Sequence, residues 1–426
     1  KKPHFPAKAA SVICVFNYGG VSQVDTFDPK PELTRRSGQE MPKLDAELKG
    51  RAPGTLLGTK RAFKKHGKSG IEVSDLFPHV ARHADKLCVI RSNWTNSFAH
   101  GSGLLQMNTG FVRQGHPCLG SWVTYGLGSV SRDLPGFVVM LDRRGGPIGG
   151  APNWGHGYMP AAYQGTQMRT QGDPILHLSP AKGTTAALQR RELDLLGELD
   201  RAHAKATPDN SELDARLASY ELAFRMQSRA PEAVDLGKES TLTRALYGMD
   251  EERTSHFGKR LLLARRLVER GVRFVQVYSG GGHSDQNWDA HGDVETNHKL
   301  HAGETDKPLA GLLADLEARG LLDSTLVIWT SEFGRTPTGQ NGKGRDHSPK
   351  GFTTWLCGAG VKPGTVVGAT DEFGYAAVEN RVHVRDLHAT ILHLLGFDHT
   401  KLTFFHGGRQ QRLTDVGGNV VEECLA

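Results

Sequence analysis

Thr325-Leu326-Val327-Ile328-Trp329-Thr330-Ser331-Glu332-Phe333-Gly334-Arg335-Thr336-Pro337 decides the fold. Its first four residues form a short run without polar alternation, the pattern of a strand buried on both faces, as in a parallel sheet. The run ends in an acid, a glycine and an arginine, which places charge at the carboxyl edge of the sheet. Open α/β sheets bind their ligands along that edge.

Similar runs occur elsewhere. Residues 10–18 read as the first central strand, closed by Gly19-Gly20. Leu87–Ile90, Gly136–Met140, Val272–Tyr278 and Phe352–Cys357 read as further strands. Helical spacing is expected over residues 97–109, Leu119–Leu127, Ser255–Glu269, Thr305–Arg319 and Val384–Leu395, and Ile71–Ala84 is amphipathic with Leu76, Phe77, Val80 and Ala81 on one face. Strands alternating with helices predict an α/β fold with a mostly parallel central sheet flanked by helices.

Residues 30–75 are polar and read as a long surface excursion, and Gly145–Gly165 reads as a glycine-rich insertion lining a cleft. Residues 184–230 carry leucines at helical spacing and little glycine, which predicts two antiparallel helices broken at Pro208-Asp209-Asn210-Ser211. The expected organisation is one domain over residues 1–426 with a helical insertion at 184–270.

The chain has 426 residues, 52 Lys+Arg against 46 Asp+Glu, and a net charge of +6. This mild basic excess, spread along the chain, suits solubility and the steering of anionic substrates. Helix-turn-helix, finger and aromatic-basic patterns are absent from the sequence, which argues against nucleic acid as a partner. Mean hydropathy is −0.42, and no run reaches the roughly 18 apolar residues of a membrane span. The five cysteines contain no CxxC pair, which argues against a zinc finger and leaves room for one or two bridges. The opening Lys1-Lys2-Pro3 is the start that a removed export signal leaves, so a periplasmic or extracellular protein is expected.

Three segments pair acids with histidines. His283-Ser284-Asp285-Gln286-Asn287-Trp288-Asp289-Ala290-His291 follows a strand. A carboxylate and an imidazole two residues apart can reach one cation, and oxygen plus imidazole suits zinc, manganese or iron better than calcium alone. Asp289 and His291 are the candidates, with His283 and Asp285 in reserve; the alternative is a solvated loop. Glu332 ends a buried strand, where a carboxylate is costly without a cationic or metal partner. Arg335 is either that partner or a bidentate holder of an anionic substrate oxygen. Asp346-His347 lies in a predicted loop, where Asp346 would orient a ligating imidazole or sit in solvent. Asp25 and Asp28 follow the first strand and either share a site or cap a turn. His100 and Ser102 open a helix that faces the same edge, as caps or as anion-binding and catalytic groups. His388 is placed towards the site and His393 in packing.

Together these segments resemble the DUF1501 family, whose fold is similar to that of alkaline phosphatases and sulfatases. The resemblance rests on Gly19-Gly20-Val21-Ser22-Gln23-Val24-Asp25-Thr26-Phe27-Asp28-Pro29-Lys30, Trp288-Asp289-Ala290-His291-Gly292, Ser331-Glu332-Phe333-Gly334-Arg335-Thr336-Pro337, Gly344-Arg345-Asp346-His347-Ser348-Pro349 and Asp386-Leu387-His388-Ala389-Thr390-Ile391-Leu392. It implies a metal-dependent hydrolase of phosphate or sulfate esters, with an anionic small molecule or saccharide ester as substrate. A divalent ion (zinc, manganese or calcium) is the implied cofactor. Asp289, His291 and His347 are the implied metal ligands, completed by Glu332 with Asp25 or Asp28. His100 is the implied nucleophile or general acid/base and Arg335 the anion holder. Two departures stand out. Phe333 occupies the histidine position of the superfamily's strand-end motif, and His100 occupies the register of the sulfatase Cys or Ser nucleophile. They motivate the alternative of a non-catalytic anion- or carbohydrate-binding member of the same fold.

Overall fold

The computed structural model describes residues 2–42, 54–169, 174–175, 183–206, 211–283 and 286–426. A nine-stranded sheet forms its centre. Across it run Thr365–Val367, Leu87–Trp94, Phe352–Cys357, Thr325–Thr330, Ser11–Asn17, Phe274–Ser279, Phe137–Met140 and Thr166–Met168, with Val382–His383 also paired to Leu87–Trp94. Every pairing is parallel except the two made by Phe352–Cys357. The sheet is thus mostly parallel, as expected from its uninterrupted apolar runs.

Both faces of the sheet are covered. Ile13 and Val15 point into one core with Leu261, Leu267, Leu309 and Leu316, from helices Ser255–Glu269 and Val294–Ala318. Val12, Cys14 and Phe16 point into the other with Leu104, Trp122, Leu387 and Ile391, from helices His100–Thr109, Leu119–Leu127 and Val384–Leu394. This two-residue alternation with burial on both sides explains why the strands read as continuous apolar runs. Helices Ala186–Ala206 and Ser211–Val234 follow the predicted pair, and Met226, Ala230 and Ala233 join the first core. The predicted break at Pro208-Asp209-Asn210 lies outside the described residues. Ser255–Glu269, grouped with the insertion in the sequence reading, packs directly against the sheet.

Four elements differ from expectation. Ile71–Ala84 is not one helix. Ile71–Ser74 pairs antiparallel with Phe63–His66, and a 3₁₀ turn follows at Val80–Lys86. Pro78 disfavours helix at Phe77, and the Asp306 carboxylate accepts hydrogen bonds from the amides of His79 (2.9 Å) and Val80 (2.8 Å). The helix expected at Thr305 begins eleven residues earlier, at Val294, where the Asp293 side chain caps the Thr296 amide at 3.1 Å. Gly145–Gly165 contains 3₁₀ turns at Ala151–Trp154 and Ala161–Tyr163. His347 lies on a strand rather than in a loop: Gly334–Gln340 and Gly344–Ser348 form a hairpin with His347 opposite Arg335. All five cysteines are free thiols and buried, and among the described residues no helix is long and apolar enough to cross a membrane.

Candidate metal centre

Four parallel strands end at one edge and deliver the site. Ser11–Asn17 leads to Gly19, Leu87–Trp94 to His100, Phe274–Ser279 to Asp289, and Thr325–Thr330 to Glu332. The hairpin brings His347 to the same edge. The Asp289 loop is pinned from below. Trp288, wholly buried, donates its indole N–H to Ser279 Oγ at 3.1 Å, and its amide donates to the Tyr18 carbonyl at 2.9 Å. Asn287 Oδ1 accepts from the Asp289 amide at 2.8 Å. Gly19 has φ +118°, and a Cβ there would lie 2.5 Å from both Asn287 Oδ1 and the Asp289 amide nitrogen. Only glycine lets the two loops approach so closely.

His100, Asp289, His291 and His347 converge, each offering a ligand atom within 4.8 Å of the others. His291 Nε2 and His347 Nε2 lie 2.9 Å and 3.0 Å from Asp289 Oδ1, and 2.9 Å from one another. His100 Nε2 lies 3.2 Å from Asp289 Oδ2 and has no hydrogen-bond partner. The opposite nitrogen of each ring meets an oxygen. His100 Nδ1 is 2.8 Å from Glu332 Oε1, His347 Nδ1 is 2.7 Å from the Phe98 carbonyl, and His291 Nδ1 meets Gln340 Oε1. A carbonyl only accepts, so His347 carries its proton on Nδ1 and presents a bare Nε2 lone pair to Asp289. Glu332 favours the same tautomer at His100. A lone pair facing a carboxylate is repulsive unless a cation or a proton lies between them. Tetrahedral bonds of about 2.0–2.2 Å from zinc to imidazole and carboxylate place neighbouring ligand atoms roughly 3.3–3.6 Å apart, slightly wider than the 2.9–3.2 Å found here. Outer acceptors that fix each ring are also the usual partners of metal-ligating histidines. The donor set therefore fits a divalent ion.

Charge is distributed unevenly. Burial opposes ionisation of Asp289, but contact with the three imidazoles and the Arg335 guanidinium holds its carboxyl far below the usual range. Burial would lower His100, yet its contacts with Asp289 and Glu332 prevail and raise it to about 9. Burial pushes His347 down to about 4, with Arg335 and His100 adding repulsion against its contact with Asp289.

The remaining sequence candidates fall elsewhere. The Arg335 guanidinium is wholly buried beneath the cluster. It donates to the carbonyls of Gly19, Gly20 (2.8 Å) and Arg345 (3.1 Å) and to Asp289 Oδ1 (2.5 Å). Its place is that of a clamp on Asp289, not of an open anion holder. Glu332, also wholly buried, meets His100 and accepts from the Gly19 amide at 2.8 Å instead of pairing with Arg335. Asp25 is bound by Arg345 Nε and Ser22 Oγ, at 2.8 Å and 2.5 Å. Asp28 pairs with Lys30 Nζ at 3.1 Å and accepts from Thr370. Neither aspartate belongs to the cluster. His283 is exposed, and Asp285 lies outside the described residues. His388 Nε2 meets the Met107 carbonyl at 2.8 Å, away from the centre, and His393 packs on Phe5 with ring centroids 4.8 Å apart. Ser102 Oγ contacts Ser97 Oγ at 2.5 Å and the Ala99 carbonyl at 3.3 Å. Gln340, the Phe98 carbonyl and the Gly19 amide were not anticipated. Nothing in an amide on a hairpin or in a main-chain group marks it as a partner of a site.

The family model described as "Protein of unknown function (DUF1501)" matches residues 9–425. No curated protein matches the chain in sequence. Among solved structures, the chain is similar to the lipoteichoic acid synthase LtaP from Listeria monocytogenes, at 9% identity and TM-score 0.40, covering 99% of this chain and 78% of that one. It is also similar to the phosphonate monoester hydrolase SpPMH from Silicibacter pomeroyi (13% identity, TM-score 0.36, 75% and 68% covered). A third is the alkaline phosphatase from the Antarctic bacterium TAB5 (11% identity, TM-score 0.34, 86% and 96% covered). Likenesses this distant leave the chemistry to be read from the chain's own residues.

Proposed function

The chain belongs to the DUF1501 family, and we propose that it is a metal-dependent hydrolase of anionic esters, of the phosphate or sulfate class. The observation that carries this reading is the convergence of three imidazole Nε2 atoms on one carboxylate, each ring fixed from behind by an oxygen. His100, Asp289, His291 and His347 would hold one divalent transition-metal ion, zinc by donor type. His100 joins as a fourth ligand because its ring is held as the other two are, which sets aside the nucleophile role. A divalent ion bound there acts as a Lewis acid on an ester oxygen.

The chain's own residues prepare that chemistry. Glu332 fixes the His100 ring and keeps its proton on Nδ1. Arg335 holds Asp289 in register and offsets one of the two carboxylates, so the loaded centre carries net positive charge and favours an anionic group. Phe333, wholly buried, packs against His100 and His347 with ring centroids 5.0 Å and 4.6 Å away, and keeps water from their inner faces.

The test is elemental analysis of the purified chain, joined to turnover assays with aryl phosphates, phosphodiesters and aryl sulfates. Support would be one equivalent of metal, with turnover lost in Asp289→Ala and His347→Ala while circular dichroism is unchanged. Absence of stoichiometric metal after supplementation with zinc or manganese overturns the proposal. Metal without turnover favours the binding-only reading.

A further inference from the structure

Cys88 and Cys424 meet in the core although 336 positions separate them in the chain. Cys88 sits on the Leu87–Trp94 strand, opposite Leu356 on one side and Thr365 on the other. Cys424 ends the 3₁₀ turn Glu422–Cys424. Its carbonyl accepts from the Lys362 amide at 2.8 Å, Leu425 bridges to Val361, and the Ala426 amide donates to the Gly360 carbonyl at 3.0 Å. These bonds lay the last residues beside the edge of the sheet. Both cysteines are wholly buried in the same hydrophobic cluster, and interaction with the Cys88 thiol is the chief cause that raises the pKa of the Cys424 thiol. Cys357 faces the opposite core.

We propose that Cys88 and Cys424 are a disulfide-forming pair that staples the C-terminal segment to the central sheet when the protein matures in an oxidising compartment. With glutathione disulfide as oxidant, one cysteine thiolate attacks a glutathione sulfur and releases one glutathione. The second cysteine attacks the mixed disulfide and releases the other. The two cysteines lose two electrons and two protons, and glutathione disulfide is reduced to two thiols. The contact with Cys88 and burial hold the Cys424 thiol far above its ordinary pKa, so the native thiols react slowly and the bond closes during folding. A link across so long a loop restricts the unfolded chain strongly. The inference does not depend on the hydrolase reading, because the pair lies in the core and touches none of the metal-site residues described above.

The test uses the full chain matured in a periplasm, or refolded with a glutathione/glutathione disulfide pair, then denatured and alkylated without reduction. Trypsin should release residues 87–91 linked to residues 413–426, with Cys14, Cys118 and Cys357 alkylated. The intact oxidised chain should be about 2 Da lighter than the reduced one, the mass of two hydrogens. Cys424→Ser should lower the melting temperature by roughly 4 °C under oxidising conditions and much less under reducing ones. A role in packing alone would lower it equally in both. Five alkylated thiols in oxidatively matured protein, or a link between other cysteines, overturns the proposal.

Discussion

Asp25 and Asp289 follow central strands at the same edge of the sheet, and each bonds a wholly buried arginine. Arg345 Nε reaches Asp25 at 2.8 Å, and an Arg335 terminal nitrogen reaches Asp289 at 2.5 Å. From there they diverge. Asp25 is 2% exposed, and the hydroxyls of Ser22 and Thr59 add to its donors. Asp289 keeps a 16% exposed side chain and gathers three imidazoles in addition to its arginine. The first is a closed ion pair, in which charge and donors balance inside the fold. The second gathers three ring nitrogens around one carboxylate, and it opens towards solvent. A buried acid that is fully answered by protein serves the structure; one ringed by imidazole nitrogens at the edge of solvent is arranged for a ligand.

The sharpest break in this comparison is removal of each acid in turn. Asp25→Ala leaves Arg345 buried without its counter-ion, and loss of one partner from such a pair costs about 3–5 kcal/mol. Chemical denaturation should show that loss, while the surviving folded protein still takes up one equivalent of metal. Asp289→Ala should do the reverse. Metal affinity should fall by roughly 100-fold or more, beyond the 10–100-fold typical of outer-sphere changes, as read by competition with a chromogenic chelator. Arg335 keeps its carbonyl acceptors at Gly20 and Arg345 in that variant, so stability of the metal-free protein should change less than in Asp25→Ala. If both variants lose stability and metal together, the distinction fails.

Acid titration is the next largest effect. Asp25 is held at about 2, below the ordinary 3.8, by Arg345 and Ser22 acting against burial. Its folded pKa is depressed, so the unfolded chain binds more protons between these values. The stabilisation is present above about pH 4 and is lost as pH falls towards 2, a contribution of roughly 2 kcal/mol. Asp25→Asn should flatten that part of the curve of unfolding free energy against pH. An unchanged slope would show that other carboxyls dominate acid unfolding.

The sequence exposes one half of this contrast and hides the other. The strands at 11–17, 325–330 and 352–357 are legible because helices cover both faces, so almost every position is apolar. Asp289, His291 and His347 stand out by residue type, although a solvated loop fits the same pattern, and only the fold brings them together. Asp25 looks equally suited, and its separation from the site depends on Arg345, a partner 320 residues away. Arg335 illustrates the same limit. Its fork suggests an anion, but the turn at Gly19-Gly20 presents carbonyls that absorb it. The helix start at Val294 is masked by histidines, glycine and Pro308, which weaken propensity while burial of one face sustains the helix.

Gln340 supplies the mildest and most discriminating test, because its side chain serves the site: its Oε1 meets His291 Nδ1. His291 is the most exposed of the three rings, with 34% of its side chain accessible, against 16% for His100 and 13% for His347. It depends most on this one acceptor for its orientation. Gln340→Ala removes the acceptor without emptying the core, so the melting temperature of the metal-free protein should hardly move. Metal affinity should fall about 10-fold, the low end for loss of an outer partner. Gln340→Glu retains an oxygen and should restore most of it. Equal affinities in all three proteins would mean that His291 is not a ligand, and the centre would reduce to His100, Asp289 and His347.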